Sequence, residues 1–217
     1  MDDIIVFVGA RGGQGTSTVA ATAALQAAQH SPTSLLCVDP LSTAALLGAP
    51  PVLPGEQAEI APGLTLTDLD GPRRAVTVID AGSLTTTPAP PAGSRTILVI
   101  RGPSYLALHT AIGHPDLHPD GAVIVAEPGR ALSDLDVTEI LAIPVLASVP
   151  VRADIARTVD AGLLLTEATS RPSLRPIHAL VDGLLPDVAR RREIDLRQPA
   201  LHRAGQELTV LDGEVGW

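Results

Sequence analysis

Ile4-Ile5-Val6-Phe7-Val8 runs directly into Gly9-Ala10-Arg11-Gly12-Gly13-Gln14-Gly15-Thr16-Ser17-Thr18, and an alanine-rich stretch continues to His30. The unbroken β-branched and aromatic run predicts a buried strand, and Ser17–His30 predicts a helix. Ala20, Ala21, Ala23, Ala24, Ala27 and Ala28 let that helix approach a sheet closely. A glycine loop that opens a helix points several backbone N–H groups at one place, where the helix N-terminus adds positive potential. Together these make a phosphate cradle. Gly12, Gly13 and Gly15 supply the backbone freedom it needs. An ordinary capped strand–helix turn is the alternative.

Working outward, short apolar runs alternate with helix-like segments, the pattern of a mostly parallel α/β sheet flanked by helices. Further strands are expected at Ser34–Val38, Leu64–Thr67, Ala75–Ile79, Thr96–Ile100, Ala122–Ala126 and Val145–Val149. Further helices are expected at Ser42–Leu47, Ser104–Ile112, Leu135–Leu141, Ala153–Ala161 and around Ile177–Arg192. At 217 residues a single domain over 1–192 is the natural division, with 193–217 a polar tail that is flexible or docked on a partner. The proline-rich stretches Ala49–Gly55 and Thr85–Gly93 read as surface connections, or as partner-binding loops.

Only Phe7, Tyr105 and Trp217 are aromatic, so the core must be aliphatic. A net charge of −9 disfavours DNA and anionic lipid as general partners, although a local patch such as Arg190-Arg191-Arg192 is an exception to weigh. Cys37, the one cysteine, reads as a reduced core residue, with a reactive thiol the alternative. The start Met1-Asp2-Asp3-Ile4 lacks a basic signal-peptide region, and no apolar run has membrane-spanning length. The expectation is a cytoplasmic protein without membrane insertion. His109, His114 and His118 are close in sequence, but Gly113 and Pro115 break any common helical ligand face, so loop histidines are preferred over a metal site.

The glycine loop departs from a standard P-loop at one position. The residue before the Ser/Thr is ordinarily Lys, which reaches the β- and γ-phosphates; here it is Thr16, and all 15 Lys-plus-Arg residues are arginine. Ser17 stands where a hydroxyl ligates Mg²⁺, and Thr18 where a hydroxyl meets the α-phosphate. The stretch Arg11–Thr18 resembles the deviant Walker A box of the ParA/MinD-type P-loop ATPases, Lys-Gly-Gly-x-Gly-Lys followed by two hydroxyl residues. In that family the first Lys reaches a dimer partner's nucleotide; Arg11 stands there. The lysine-poor form is most similar to the CpaE/TadZ branch of pilus-assembly localisation proteins.

Three later segments extend the resemblance in order. Leu35–Pro40 resembles the second strand, and the resemblance implies that Asp39 acts at the attacking water, though the usual second Asp is replaced by Leu41. Val76–Gly82 resembles Walker B and switch II, which implies Asp80 on Mg²⁺ and Gly82 at the γ-phosphate. Ile143–Pro150, with Asp154 and Ala161-Gly162, resembles the late strand and the loop that lines the base.

The resemblance therefore implies ATP or ADP with Mg²⁺, held by Arg11, Gly12, Gly13, Gln14, Gly15, Thr16, Ser17, Thr18, Asp80 and Gly82. It implies a bacterial positioning or assembly protein whose nucleotide-bound homodimer recruits protein partners of a pilus, secretion or partition assembly. Loss of a preorganised donor costs about 10²–10³ in rate, so weak or absent hydrolysis is expected. A nucleotide-free pseudo-ATPase scaffold and a DNA-partitioning ATPase are the alternatives.

Overall fold

Eight strands form one sheet in the order β3-β4-β2-β5-β1-β6-β7-β8. They are β1 (Asp3–Gly9), β2 (Thr33–Cys37), β3 (Gln57–Ala61), β4 (Leu64–Asp68), β5 (Val76–Ser83), β6 (Arg95–Arg101), β7 (Gly121–Ala126) and β8 (Val145–Pro150). The computed structural model describes residues 3–85 and 89–185. Pro88, the helix expected beyond 185, Arg190–Arg192 and the tail 193–217 lie outside the described residues. All neighbouring strands are parallel except β3 and β4. The helices are α1 (Thr16–Ala28), α2 (Pro40–Leu47), α3 (Tyr105–Ile112), α4 (Asp134–Leu141), α5 (Ala153–Asp160), α6 (Leu164–Glu167) and α7 (Arg175–Leu184).

Strand alternation divides the core into two layers. Ile5, Phe7, Leu35, Cys37, Val76, Val78, Ile97, Val99, Val123 and Val149 pack with α1, α2 and α7. Val6, Val8, Leu36, Ile79, Leu98, Ile100 and Ile124 face the opposite way, onto Ala107 and Leu108 of α3 and Val137 of α4. Both faces of the central strands are covered, as their near-continuous apolar sequences require. Burying each such side chain contributes roughly 1.5–3 kcal/mol. α1 is buried from Val19 to Ala27, its alanines without exposed surface, and Gln26 Nε2 donates to Asp182 Oδ1 of α7 at 3.0 Å.

The structure corrects the sequence reading at two strands. β5 does not end at Ile79; it continues to Ser83, so Asp80 lies inside it. The extension is held from both sides, because the Val38 amide donates to the Asp80 carbonyl and the Leu84 amide to the Gly9 carbonyl. The second correction is β3, an antiparallel edge strand whose Ala58, Ile60 and Ala61 are partly buried while Gln57 and Glu59 are exposed, joined to β4 through Pro62-Gly63. Cys37 is buried, its Sγ 3.4 Å from the Thr67 carbonyl, and burial pushes its thiol up to about 12. The thiolate a reactive cysteine needs is thus disfavoured.

Ala142 ends α4 at φ 54° and is the one non-glycine residue with positive φ among those described. A side chain there costs about 1–2 kcal/mol. Ala142→Gly is expected to raise the thermal midpoint by about 2–4 °C, corresponding to about 1 kcal/mol in a chain of this size. Calorimetric unfolding checks it, and an unchanged or lower midpoint would contradict the strain.

Candidate functional site

The carboxyl ends of the parallel strands carry the polar groups that the core excludes, and alternation decides which face they occupy. Asp80 follows Val76 and Val78 on the α1 face, and Arg101 follows Ile97 and Val99. The sheet order reverses here: β1 has β5 and then β2 on one side and β6 on the other. Ligand crevices of open α/β sheets form outside the carboxyl ends at such a switch point.

The glycine loop crosses that point between β1 and α1. Gly13 and Gly15 have φ of 75° and 83°, and Gly15 is the N-cap of α1 without any side-chain capping bond. The first-turn amides are therefore left to a ligand or to water. Gly9 is required by close approach: an added Cβ would lie 2.5 Å from Thr16 Oγ1, 2.9 Å from the Arg11 carbonyl and 3.2 Å from the Gly82 carbonyl. Thr16 is thus buried against the base of the loop, whereas Arg11, Gly12 and Gly13 are exposed. The Gln14 side chain turns away from the loop's centre, its Oε1 accepting from the Arg101 amide at 2.8 Å.

Asp80 is 4% exposed. Its Oδ1 accepts from the Gly82 amide at 3.1 Å, and the Ser17 side chain stands beside the same carboxylate. Burial nevertheless raises its pKa above the usual carboxylate range, and the charge of Asp39 pushes the same way. Asp39 caps α2: the Ser42 amide donates to its Oδ1 at 3.0 Å and the Ser42 hydroxyl to its Oδ2 at 2.5 Å. These bonds hold its carboxyl below the ordinary range. Asp39 thus takes the capping role that an aspartate closing a strand commonly has. Likewise the Gly82 amide faces Asp80 and not the loop.

Beside Gly15 and Thr18 opens a cavity of about 270 Å³ with a largely apolar lining that includes Val125, Pro150 and Ile155, and with Arg101 and Arg152 at its wall. The late strand and its following loop therefore do meet the glycine loop. Asp154 stands outside the lining, bracing α5 through Arg152 Nε and the Ser173 hydroxyl, each at 3.0 Å. Gly162 packs on Gly48. The sequence reading missed a charged cluster, in which Glu127 Oε1 accepts from Arg101 Nε at 2.7 Å and Glu127 Oε2 from Arg130 Nε at 2.8 Å. The two guanidiniums hold the Glu127 carboxyl below its usual range, Arg130 most strongly. The histidines are spread: His109 tilts over Tyr105, while His114 and His118 use Nδ1 on the carbonyls of Thr110 and Asp116.

No family model matches the chain, and comparison with curated proteins finds no match. Solved structures do match in fold. MinD from Pyrococcus horikoshii, complexed with Mg-ADP, superposes with a TM-score of 0.65 at 15% identity over 85% of this chain and 96% of that one. MinD in the MinC:MinD complex of Aquifex aeolicus gives 0.68 at 12%, covering 85% and 96%. A ParA family ATPase from Chlorobium tepidum gives 0.62 at 13%, covering 85% and 99%. The fold is that of the MinD and ParA ATPases. Among the described residues no helix is long and apolar enough to cross a membrane.

Three substitutions separate the roles of the carboxylates. A buried carboxylate with a raised pKa weakens the fold as pH rises from its unfolded value through its folded one, and the penalty is smallest in acid. Asp80→Asn is therefore expected to raise the thermal midpoint of the nucleotide-free protein at pH 7, with less gain in acid. An equal or lower midpoint at pH 7 would contradict the uncompensated charge. Asp39→Ala loses a cap worth about 1 kcal/mol and lowers the midpoint by about 2–4 °C, whereas Asp39→Asn, which still caps, leaves it nearly unchanged.

Proposed function

We propose that this chain is a ParA/MinD-like nucleotide-binding protein with a degenerate, deviant Walker A loop, most similar to the CpaE/TadZ-type members. In this reading it positions or assembles protein partners and hydrolyses ATP weakly or not at all. The observation that carries the reading is the buried Asp80 carboxylate with the Ser17 side chain beside it, beneath an uncapped helix N-terminus. Mg²⁺ is commonly bound through one or two carboxylates together with substrate phosphates and water, so this donor set fits it. Ser17 and Asp80 would hold the ion, which neutralises phosphate charge when bound. A cation there also offsets the desolvation that raises the Asp80 pKa.

The residues divide between binding and turnover. The amides of Gly13–Thr18 and the positive end of α1 suit the phosphates, and the apolar cavity beside Thr18 suits the nucleoside. Arg11, exposed at the loop's crest, suits a second protomer's nucleotide. The groups assigned to turnover are otherwise engaged: Thr16 is packed on Gly9, Asp39 caps α2, and the Gly82 amide serves Asp80. The same engagement favours the second reading, a scaffold that needs no nucleotide. Dimerisation and recruitment of a protein partner follow from likeness to MinD, whose Aquifex form is seen with MinC.

Titration of the purified protein with ATP and ADP, with and without Mg²⁺, tests the reading. Saturable, Mg²⁺-dependent binding is expected, lost in Gly15→Val because a β-branched residue does not adopt φ 83°. Thr16→Lys is expected to raise phosphate release by about 10²–10³. A wild type that binds nothing at millimolar ATP, beside a Thr16→Lys variant that does, would establish the scaffold instead.

A further inference from the structure

Arg101 combines four features; Arg152 shares its place at the cavity wall and its single Nε bond, but neither the strand position nor the tie to the glycine loop. Arg101 ends β6 on the α1 face, at the switch point of the sheet. Its backbone amide is fastened to the glycine loop through Gln14 Oε1, so loop and arginine keep a fixed spacing. It lines the cavity that also contains Gly15 and Thr18. Glu127 takes only its Nε, and its Nη nitrogens have no hydrogen-bond partner among the described residues. A guanidinium held by Nε and free at both Nη atoms is oriented to receive an anion by its outer edge. Because Arg130 also pairs with Glu127, that carboxylate is shared by two cations and the cluster keeps a net positive charge beside the loop.

We infer that Arg101 is the phosphate-binding cation of this site, contacting the phosphate nearest the nucleoside and supplying from β6 the charge that Thr16 does not supply from the loop. The inference rests on the nucleotide-binding reading above. Glu127 acts as a positioning residue that fixes the fork, and Gln14 sets its distance from the loop. A cation on the nucleoside side secures the ligand but does not reach the γ-phosphate end as the loop lysine does. Affinity for ADP and AMP is thereby uncoupled from rapid hydrolysis.

The test compares dissociation constants of adenosine, AMP and ADP for the wild type, Arg101→Ala, Arg101→Lys and Arg130→Ala, each variant's folding being verified by thermal unfolding. Arg101→Ala is expected to weaken AMP and ADP roughly tenfold or more, the range of a charge-assisted hydrogen bond, with adenosine unchanged. Arg101→Lys should recover part of the loss. Arg130→Ala, which shares Glu127 but does not line the cavity, should stay within about twofold of wild type. Unchanged AMP and ADP affinity in Arg101→Ala, or an equal loss in Arg130→Ala, overturns the assignment while a wild type that prefers ADP keeps the nucleotide reading. A wild type that binds none of the three overturns both.

Discussion

The burial of Asp80, a carboxylate in the middle of the sheet beside Ser17 of the first turn of α1, is the constraint from which the geometry of the site follows. Asp80 occupies a position where the Val76 and Val78 row would continue most cheaply with another aliphatic residue. β5 lies between β1 and β2, so whatever stands there is shielded from water. A carboxylate in that place loses hydration, and one hydroxyl and one amide do not restore it. The fold gains nothing in stability from this arrangement. A buried acid whose pKa is raised, beside a hydroxyl residue and an open helix terminus, suits a cation-assisted phosphate site.

The parts of the molecule that were legible in the sequence are those in which local pattern and tertiary environment agree. β1, the glycine loop and α1 could be read because a buried parallel strand, a phosphate cradle and an all-round buried helix each leave a compositional mark. Asp80 is singled out through the resemblance of Val76–Gly82 to Walker B, since an aspartate at a strand end alone is as readily a cap. β3 was missed because its alternation, Gln57-Ala58-Glu59-Ile60, is short and, at the sheet edge, only partly buried. The end of β5 was misplaced because bonding from both neighbours outweighs the turn-forming tendency of Asp80 and Gly82.

The side-chain assignments show a different limit. Spacing identifies which residues reach the carboxyl edge, but not what each one touches. Asp39 is both an acid near Asp80 and the cap of α2, and only the Ser42 bonds reveal the second role. The link from Gln14 to Arg101 spans 87 residues and depends on the parallel pairing of β1 with β6. No local signal carries it. The close packing of Gly48 on Gly162 is of the same kind, since it comes from the meeting of two helix ends far apart in the chain.

The net charge of −9 and an anion site are compatible because of distance. Charges in water at physiological ionic strength are screened over about 8 Å. A phosphate seated on the α1 amides responds to groups within that range: the helix terminus, Arg101 and, against it, Asp80. Distant acidic side chains contribute little. A polymer such as DNA extends well beyond one screening length and meets the average surface, which is acidic. The average charge therefore weighs against a polyanionic track and leaves a small phosphorylated ligand unaffected, an argument made without appeal to the fold, which hosts many functions.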